Sequence, residues 1–224
     1  MTKLEIPNIA IGCLSGLLDR PGSILYSSHE TLRPGDAYVL GYNPGGSAGS
    51  PIQMSIDELL TKTTNAYLDE KWEHKNRVWP EGEAPLQKNI KWIVESLGLC
   101  LREVCTSNLI FFQSPKASDI NSDLADQCWP VHRAIIAIIK PKIIIAFGNN
   151  AVDSPYAYLH ARFGGTEESI PSGHGDWKVK GFKSYIDGHP LYVAGLPHLS
   201  RYSAIGKNYI IDWLSEGMCK AVNK

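Results

Sequence analysis

Apolar and polar positions alternate between two periods along most of the chain. Nearly continuous apolar runs at residues 36–42 (DAYVLGY), 103–112 (EVCTSNLIFF), 143–147 (IIIAF) and 191–195 (LYVAG) read as strands. The 143–147 run is apolar on both faces, as in a central strand covered from both sides. Residues 9–18, 55–67, 86–97, 122–140, 151–163 and 203–222 carry apolar residues at helical spacing. Pro130 either kinks the 122–140 helix or splits it. Residues 71–85 are polar and punctuated by Pro80, Gly82 and Pro85, so they read as a loop. Residues 164–188 are Gly-rich, with room for a hairpin around 177–179. Strand alternating with helix predicts an α/β fold. The expected form is a three-layer α/β/α domain over residues 1–224, around a central, mostly parallel four-stranded sheet.

In such a sheet the working groups gather outside the carboxyl ends of the strands. The first end carries Tyr42-Asn43-Pro44-Gly45-Gly46-Ser47, where glycines admit a ligand close to backbone and the Asn43 amide can orient a water. A plain strand-to-helix turn explains the same residues. The second end carries Ser107-Asn108, whose amide offers a donor beside an acceptor, the pattern of a nucleobase edge, or else satisfies nearby backbone. The third, Gly148-Asn149-Asn150-Ala151, reads as the start of a helix. The fourth is Leu196-Pro197-His198-Leu199-Ser200-Arg201-Tyr202. There His198 can stabilise developing charge, and Leu199, Arg201 and Tyr202 suit a wedge, unless this is simply a polar loop before the last helix.

Composition narrows the chemistry. The chain has 224 residues, 43% hydrophobic and 20% charged, enough for a core without staples. A net charge of −1 means that any nucleic-acid contact comes from a local patch, for which Lys178, Lys180, Lys183, Arg201 and Lys207 are candidates beside a solvated-surface reading. Five cysteines without C-x-x-C spacing read as free thiols in a reducing cytoplasm. His160, His174 and His189 form no metal pattern, and no metal or cofactor is expected. Residues 1–7 carry charges, so no signal peptide is expected, and no apolar stretch is long enough to span a membrane. There is no Walker loop, dinucleotide fingerprint or nucleophile elbow.

Together the four strand ends resemble the uracil-DNA glycosylase superfamily, most of all its mismatch-specific and single-strand-selective branches. Gly41-Tyr42-Asn43-Pro44-Gly45 is similar to their first motif. Thr106-Ser107-Asn108-Leu109 is similar to the middle strand, residues 141–148 to the third, and Leu196-Pro197-His198-Leu199-Ser200-Arg201 to the last motif. The resemblance implies a DNA partner, no obligatory protein partner, and a monofunctional glycosylase that flips and excises a pyrimidine. Asn43 would then position water and His198 support the leaving base. Gly41, Tyr42, Gly45, Gly46, Ser47 and Asn108 would hold the base, and Leu199, Ser200, Arg201, Tyr202 and Lys207 would touch DNA. A second register aligns only Leu199-Ser200-Arg201 with a wedge and leaves His198 without a catalytic role.

The base-stacking aromatic is open among Tyr67, Trp72, Trp79 and Phe112. Uracil-specific relatives place Tyr where Gly45 stands here, so the pocket is expected to admit a 5-substituent. Uracil-like bases in repair and a bulky modified cytosine of phage DNA, such as glucosyl-hydroxymethylcytosine, in antiviral defence are the two expected substrate classes. The rival readings are a non-catalytic sensor with a glycosylase-like fold and an unrelated α/β enzyme acting on a nucleotide or small metabolite.

Overall fold

The computed structural model describes residues 1–46, 49–74 and 77–222. Its strands are β1 (Ala37–Gly41), β2 (Trp72–His74), β3 (Arg77–Trp79), β4 (Cys105–Asn108), β5 (Ile143–Phe147), β6 (Glu168–Pro171), β7 (Lys178–Ile186) and β8 (His189–Leu196). Its α-helices are α1 (Ile6–Cys13), α2 (Ile52–Asp57), α3 (Pro85–Ser96), α4 (Leu124–Ile139), α5 (Pro155–Phe163) and α6 (Asn208–Val222). The protein is α/β, with a six-stranded, mostly parallel central sheet in the order β4-β1-β5-β8-β7-β6. The four strands expected from sequence are its four parallel ones. The expected count of four falls short because β7 and β6 extend the sheet antiparallel beyond β8.

That extension has a sequence cause. Asp187 and Gly188 both adopt left-handed φ, 51° and 79°, between β7 and β8. Asp-Gly is the pair that a two-residue hairpin turn demands.

Alternate strand positions feed two cores. Tyr38, Leu40, Ile144 and Ala146 pack with α1, α2, α4 and α5. Ala37, Val39, Ile145 and Phe147 pack with α3 and α6. Each fully buried isoleucine here contributes roughly 1.5–3 kcal/mol of transfer free energy.

Several boundaries differ from the sequence expectation. The 55–67 helix stops at Asp57, because Thr61, Thr63, Thr64 and Asn65 are poor helix formers. Asn65 instead bonds the Leu101 carbonyl and the Tyr67 amide. The regular strand within 103–112 covers 105–108; beyond it Leu109 and Ile110 still donate to Gly41 and Tyr42, and Phe112 bridges Gly22. The 71–85 loop contains the small β2–β3 hairpin. Pro130 lies inside α4 without splitting it; it is exposed. Ser154, not Asn149 or Asn150, caps α5. Among the described residues no helix is long and apolar enough to cross a membrane.

One core residue links the fold to pH. His132 on α4 is fully buried, with Nδ1 2.8 Å from the Tyr38 hydroxyl and Nε2 3.0 Å from the Leu109 carbonyl. A carbonyl only accepts, so Nε2 carries the proton and Nδ1 accepts from Tyr38. Burial lowers the His132 pKa from 6.5 to about 4. The unfolded chain therefore binds a proton on this ring below pH 6.5 while the folded chain does not. Stability from this source is complete above pH 6.5 and is lost as pH falls from there to about 4. The loss reaches about 3 kcal/mol. Urea midpoints measured from pH 7.5 to 4.5 should fall through this window in the wild type and flatten in His132→Gln. An unchanged slope in the variant would sink the assignment.

Candidate active site

The parallel strands end side by side as β4, β1, β5 and β8. From β1 the chain runs through α2, on the α1/α4/α5 face, and then α3, on the opposite face, before it returns in β4; from β5 it passes to α5. The strand order reverses between β1 and β5, the point at which open sheets of this kind gather a site outside their carboxyl ends.

Three side chains line up there on the α3/α6 face. Asn108 closes β4 in register with Gly41, and Phe147 closes β5. A Cβ on Gly41 would collide with Asn108 Oδ1 and lie 2.5 Å from Phe147 Cζ. Glycine is therefore what lets the amide and the ring approach across β1. His198, just beyond β8, meets Phe147 edge-on at 5.9 Å between ring centroids.

Asn108 has the most telling surroundings. It is 4% exposed, yet its side-chain amide has no hydrogen-bond partner among the described residues. The amide is not sealed in: Thr106 Oγ1 is the buried side-chain polar atom without contact to solvent or a partner there. An unpaired buried amide costs about 1–3 kcal/mol once dry, so a ligand that pairs with it gains by that amount.

His198 is held as a neutral donor. Its Nδ1 lies 3.3 Å from the Ser200 amide and 2.8 Å from the Ser200 hydroxyl. An amide N–H only donates, so Nδ1 accepts and the neutral ring carries its proton on Nε2. His198 is an exposed residue, but desolvation at the strand ends, and next the Arg201 charge, lower its pKa from the ordinary histidine value.

Asn43 sits half-buried one residue beyond Tyr42. Its Nδ2 donates to the Pro44 carbonyl at 2.8 Å and to Ser114 Oγ at 2.9 Å. Pro44 O can only accept, which fixes the amide orientation. Oδ1 then has no partner among the described residues and stands as a free acceptor. The Gly45 carbonyl accepts from Gln113 Nε2 at 2.6 Å, and a Cβ on Gly45 would meet no atom of the described residues within 4 Å. Gly46 has φ +94°, which glycine adopts readily. Ser47, expected to hold the base, lies outside the described residues.

The structure corrects several other expectations. Leu199 is buried in the α3/α6 core, and Asn89 donates to its carbonyl, so its side chain packs inward and does not project as a wedge. Tyr202 is also core, with its hydroxyl on the Ser172 carbonyl and Lys207 Nζ 4.0 Å from its ring centre. Ser200 and Arg201 are the exposed members of the expected DNA-contact set, beside His198. Tyr42 points into the other core, its hydroxyl 3.4 Å from Asp153. Burial, then Asp153, raises its pKa to about 12. Of the basic residues, Lys180 pairs with Glu167 at 3.3 Å, Lys183 is half-buried, and Lys178 is exposed at the start of β7.

Among the described residues none of the four aromatics expected to stack a base makes a ring contact with Phe147 or His198. Phe112 is fully buried under Arg20, and Tyr67 packs between Tyr26 and Trp72. Trp79 pairs with Trp72 across the β2–β3 hairpin. Phe147 is the aromatic at the strand ends, and it was hidden in an apolar strand. Its signal was its place as the last residue before Gly148, on the same alternation as Ile143 and Ile145. Ser114 and Gln113 were also missed, because their roles depend on the return of the chain beside the 43–46 turn.

The five cysteines are free thiols, and burial raises Cys105 and Cys128 to about 12. Among the described residues no three His, Cys, Asp or Glu side chains are grouped to hold a metal. No protein-family model matches the chain, and no curated protein sequence matches it.

Proposed function

We propose that this chain is a monofunctional DNA glycosylase that takes a flipped pyrimidine at the ends of β1, β4, β5 and β8. In this reading it is one three-layer α/β/α domain of the uracil-DNA glycosylase kind, working in the cytoplasm. The observation that carries the proposal is the Asn108 amide: buried, unpartnered among the described residues, and in line with Phe147 and a neutral His198. A base edge supplies the alternating donor and acceptor that such an amide lacks.

The chemistry is hydrolysis. Water held by Asn43 Oδ1 attacks the sugar C1′ as the bond to the base nitrogen breaks. The bonding electrons leave with the base. One water proton passes to solvent, the hydroxyl stays on the sugar, and the base regains a proton after departure. Negative charge building on the base is met by Asn108 and by His198 Nε2–H. Neutral His198 suits this role because its Nδ1 is committed to Ser200.

The proposed substrate class rests on Gly45, where an added Cβ would meet no atom of the described residues. It admits uracil-like bases, as in repair, and 5-substituted ones, including glucosyl-hydroxymethylcytosine, as in defence against phage. The test is incubation with duplexes carrying uracil, a thymine mismatch or glucosyl-hydroxymethylcytosine, followed by detection of abasic sites. Folded protein that releases no base from any of them would refute the proposal.

The pH profile is a second check. Protonation of His198 would remove the acceptor that Ser200 uses. Its folded pKa lies below the ordinary 6.5, so single-turnover release should stay level as pH falls through 6.5 and decline only below it. His198→Gln should slow release and remove that acid limb. A limb centred at or above 6.5 contradicts the assignment.

A further inference from the structure

A recess of about 330 Å³ opens beside the 43–46 turn, away from the Asn108 row. Pro44 is the link between them. It lines the recess, while its carbonyl receives Asn43 Nδ2 on the site side. Gln113 stands at the border: its Nε2 holds the Gly45 carbonyl, and its amide fills the space over Gly46 and Gly49. A side chain on either glycine would displace it.

The lining is chemically mixed. Tyr26 contributes a ring and a hydroxyl that has no hydrogen-bond partner among the described residues. Lys62 gives one ammonium proton to the Leu25 carbonyl at 2.8 Å and lies 5.9 Å from the centre of the Tyr26 ring. Two of its protons remain for a ligand. Glu58, one helical turn before Lys62, adds an acceptor, and Ser23 a hydroxyl. A carboxylate beside an ammonium disfavours an anionic group such as a phosphate. An apolar group would leave the lysine and glutamate unpaired. A neutral polyhydroxyl ring satisfies both, since each hydroxyl donates and accepts while its C–H face lies on an aromatic ring.

We infer that this recess is a second subsite, which takes a hexose-like substituent carried on the pyrimidine C5, and that Gln113 is the specificity-determining residue at its mouth. The inference rests on the glycosylase reading for the placement of the base. In the resting arrangement Gln113 covers the glycine turn, and the substituent displaces its amide and is then read by it. Gly45, Gly46 and Gly49 contribute no side chains along that path.

Binding and base release are measured separately on three duplexes, whose target cytosine carries hydrogen, hydroxymethyl or hexosyl-hydroxymethyl at C5. Binding uses fluorescence anisotropy, and release uses abasic-site cleavage. The wild type is expected to favour the hexosylated base. Lys62→Met and Gln113→Ala are each expected to cut the ratio of hexosylated to unsubstituted binding by about tenfold, the loss of one or two hydrogen bonds. Thermal melting checks that both variants fold. Preferential binding without release would remove the glycosylase and keep the recess. Release or binding with no preference, or a ratio unaltered in both folded variants, would overturn the recess.

Discussion

Asn43→Ala is expected to lower base release by about 10²–10³-fold, the typical effect of removing one well-placed polar group that acts on the transition state. The amide is held by the Pro44 carbonyl and Ser114 Oγ. Those two bonds set the direction of Oδ1, so its free lone pairs are pre-aimed and need no reorganisation when water arrives. Binding of DNA should stay within about threefold, because Asn108 and the strand ends still hold the base. Asn43→Asp is the informative companion: it keeps an acceptor but loses the donor to Pro44. It should retain more release than Ala if water positioning is the role. Single-turnover rates at saturating enzyme, with anisotropy for binding, separate the two effects. A parallel loss of binding and release would mean that Asn43 holds the ligand or the turn and does not serve the chemical step.

Gly45→Tyr carries the second large effect. No atom of the described residues lies within contact of a Cβ placed there, and Gly45 has no left-handed φ to forbid a side chain. The protein should therefore fold, with a melting temperature close to wild type. A tyrosine at that position would stand between the base site and the recess and build a clash against any C5 substituent. Release of a substituted pyrimidine should fall by at least about a hundredfold, while an unsubstituted base loses much less, the asymmetry that steric exclusion produces. Equal release of substituted and unsubstituted bases by the folded variant would show that C5 does not face this turn. The substitution tests the orientation of the base independently of Gln113 and Lys62.

Much of this protein was legible in its sequence. Four short apolar runs, each ending in Asn, Gly or a Pro-His loop, marked the four parallel strands and their working ends, because period and turn residues are local properties. Asn43, Asn108 and His198 were singled out that way, and the structure places Asn108 at the end of β4 and His198 just beyond β8, with Phe147 at the end of β5 between them. Of the two antiparallel strands, β7 carries a local mark in the Asp187-Gly188 pair that joins it to β8, while the hairpin expected around 177–179 lies at the start of β7, where it pairs with β6.

What the sequence could not decide depended on which face a side chain takes. Leu199 reads as a wedge from its neighbours but packs into the α3/α6 core, because Asn89 draws its carbonyl inward. Phe147 reads as one more core residue but meets His198, because a strand alternates faces and its last position reaches the rim. The state of His198 needed Ser200 beside it, and the orientation of Asn43 needed Ser114, brought back from 71 residues away. The recess depends on even longer returns, from Tyr26 and Lys62 to Gln113. Local pattern determined the strands and the residue types at their ends. Packing across the sheet alone decided which of those residues stay available to a ligand, because a hydrogen bond or a buried face is a property of the partner as much as of the residue.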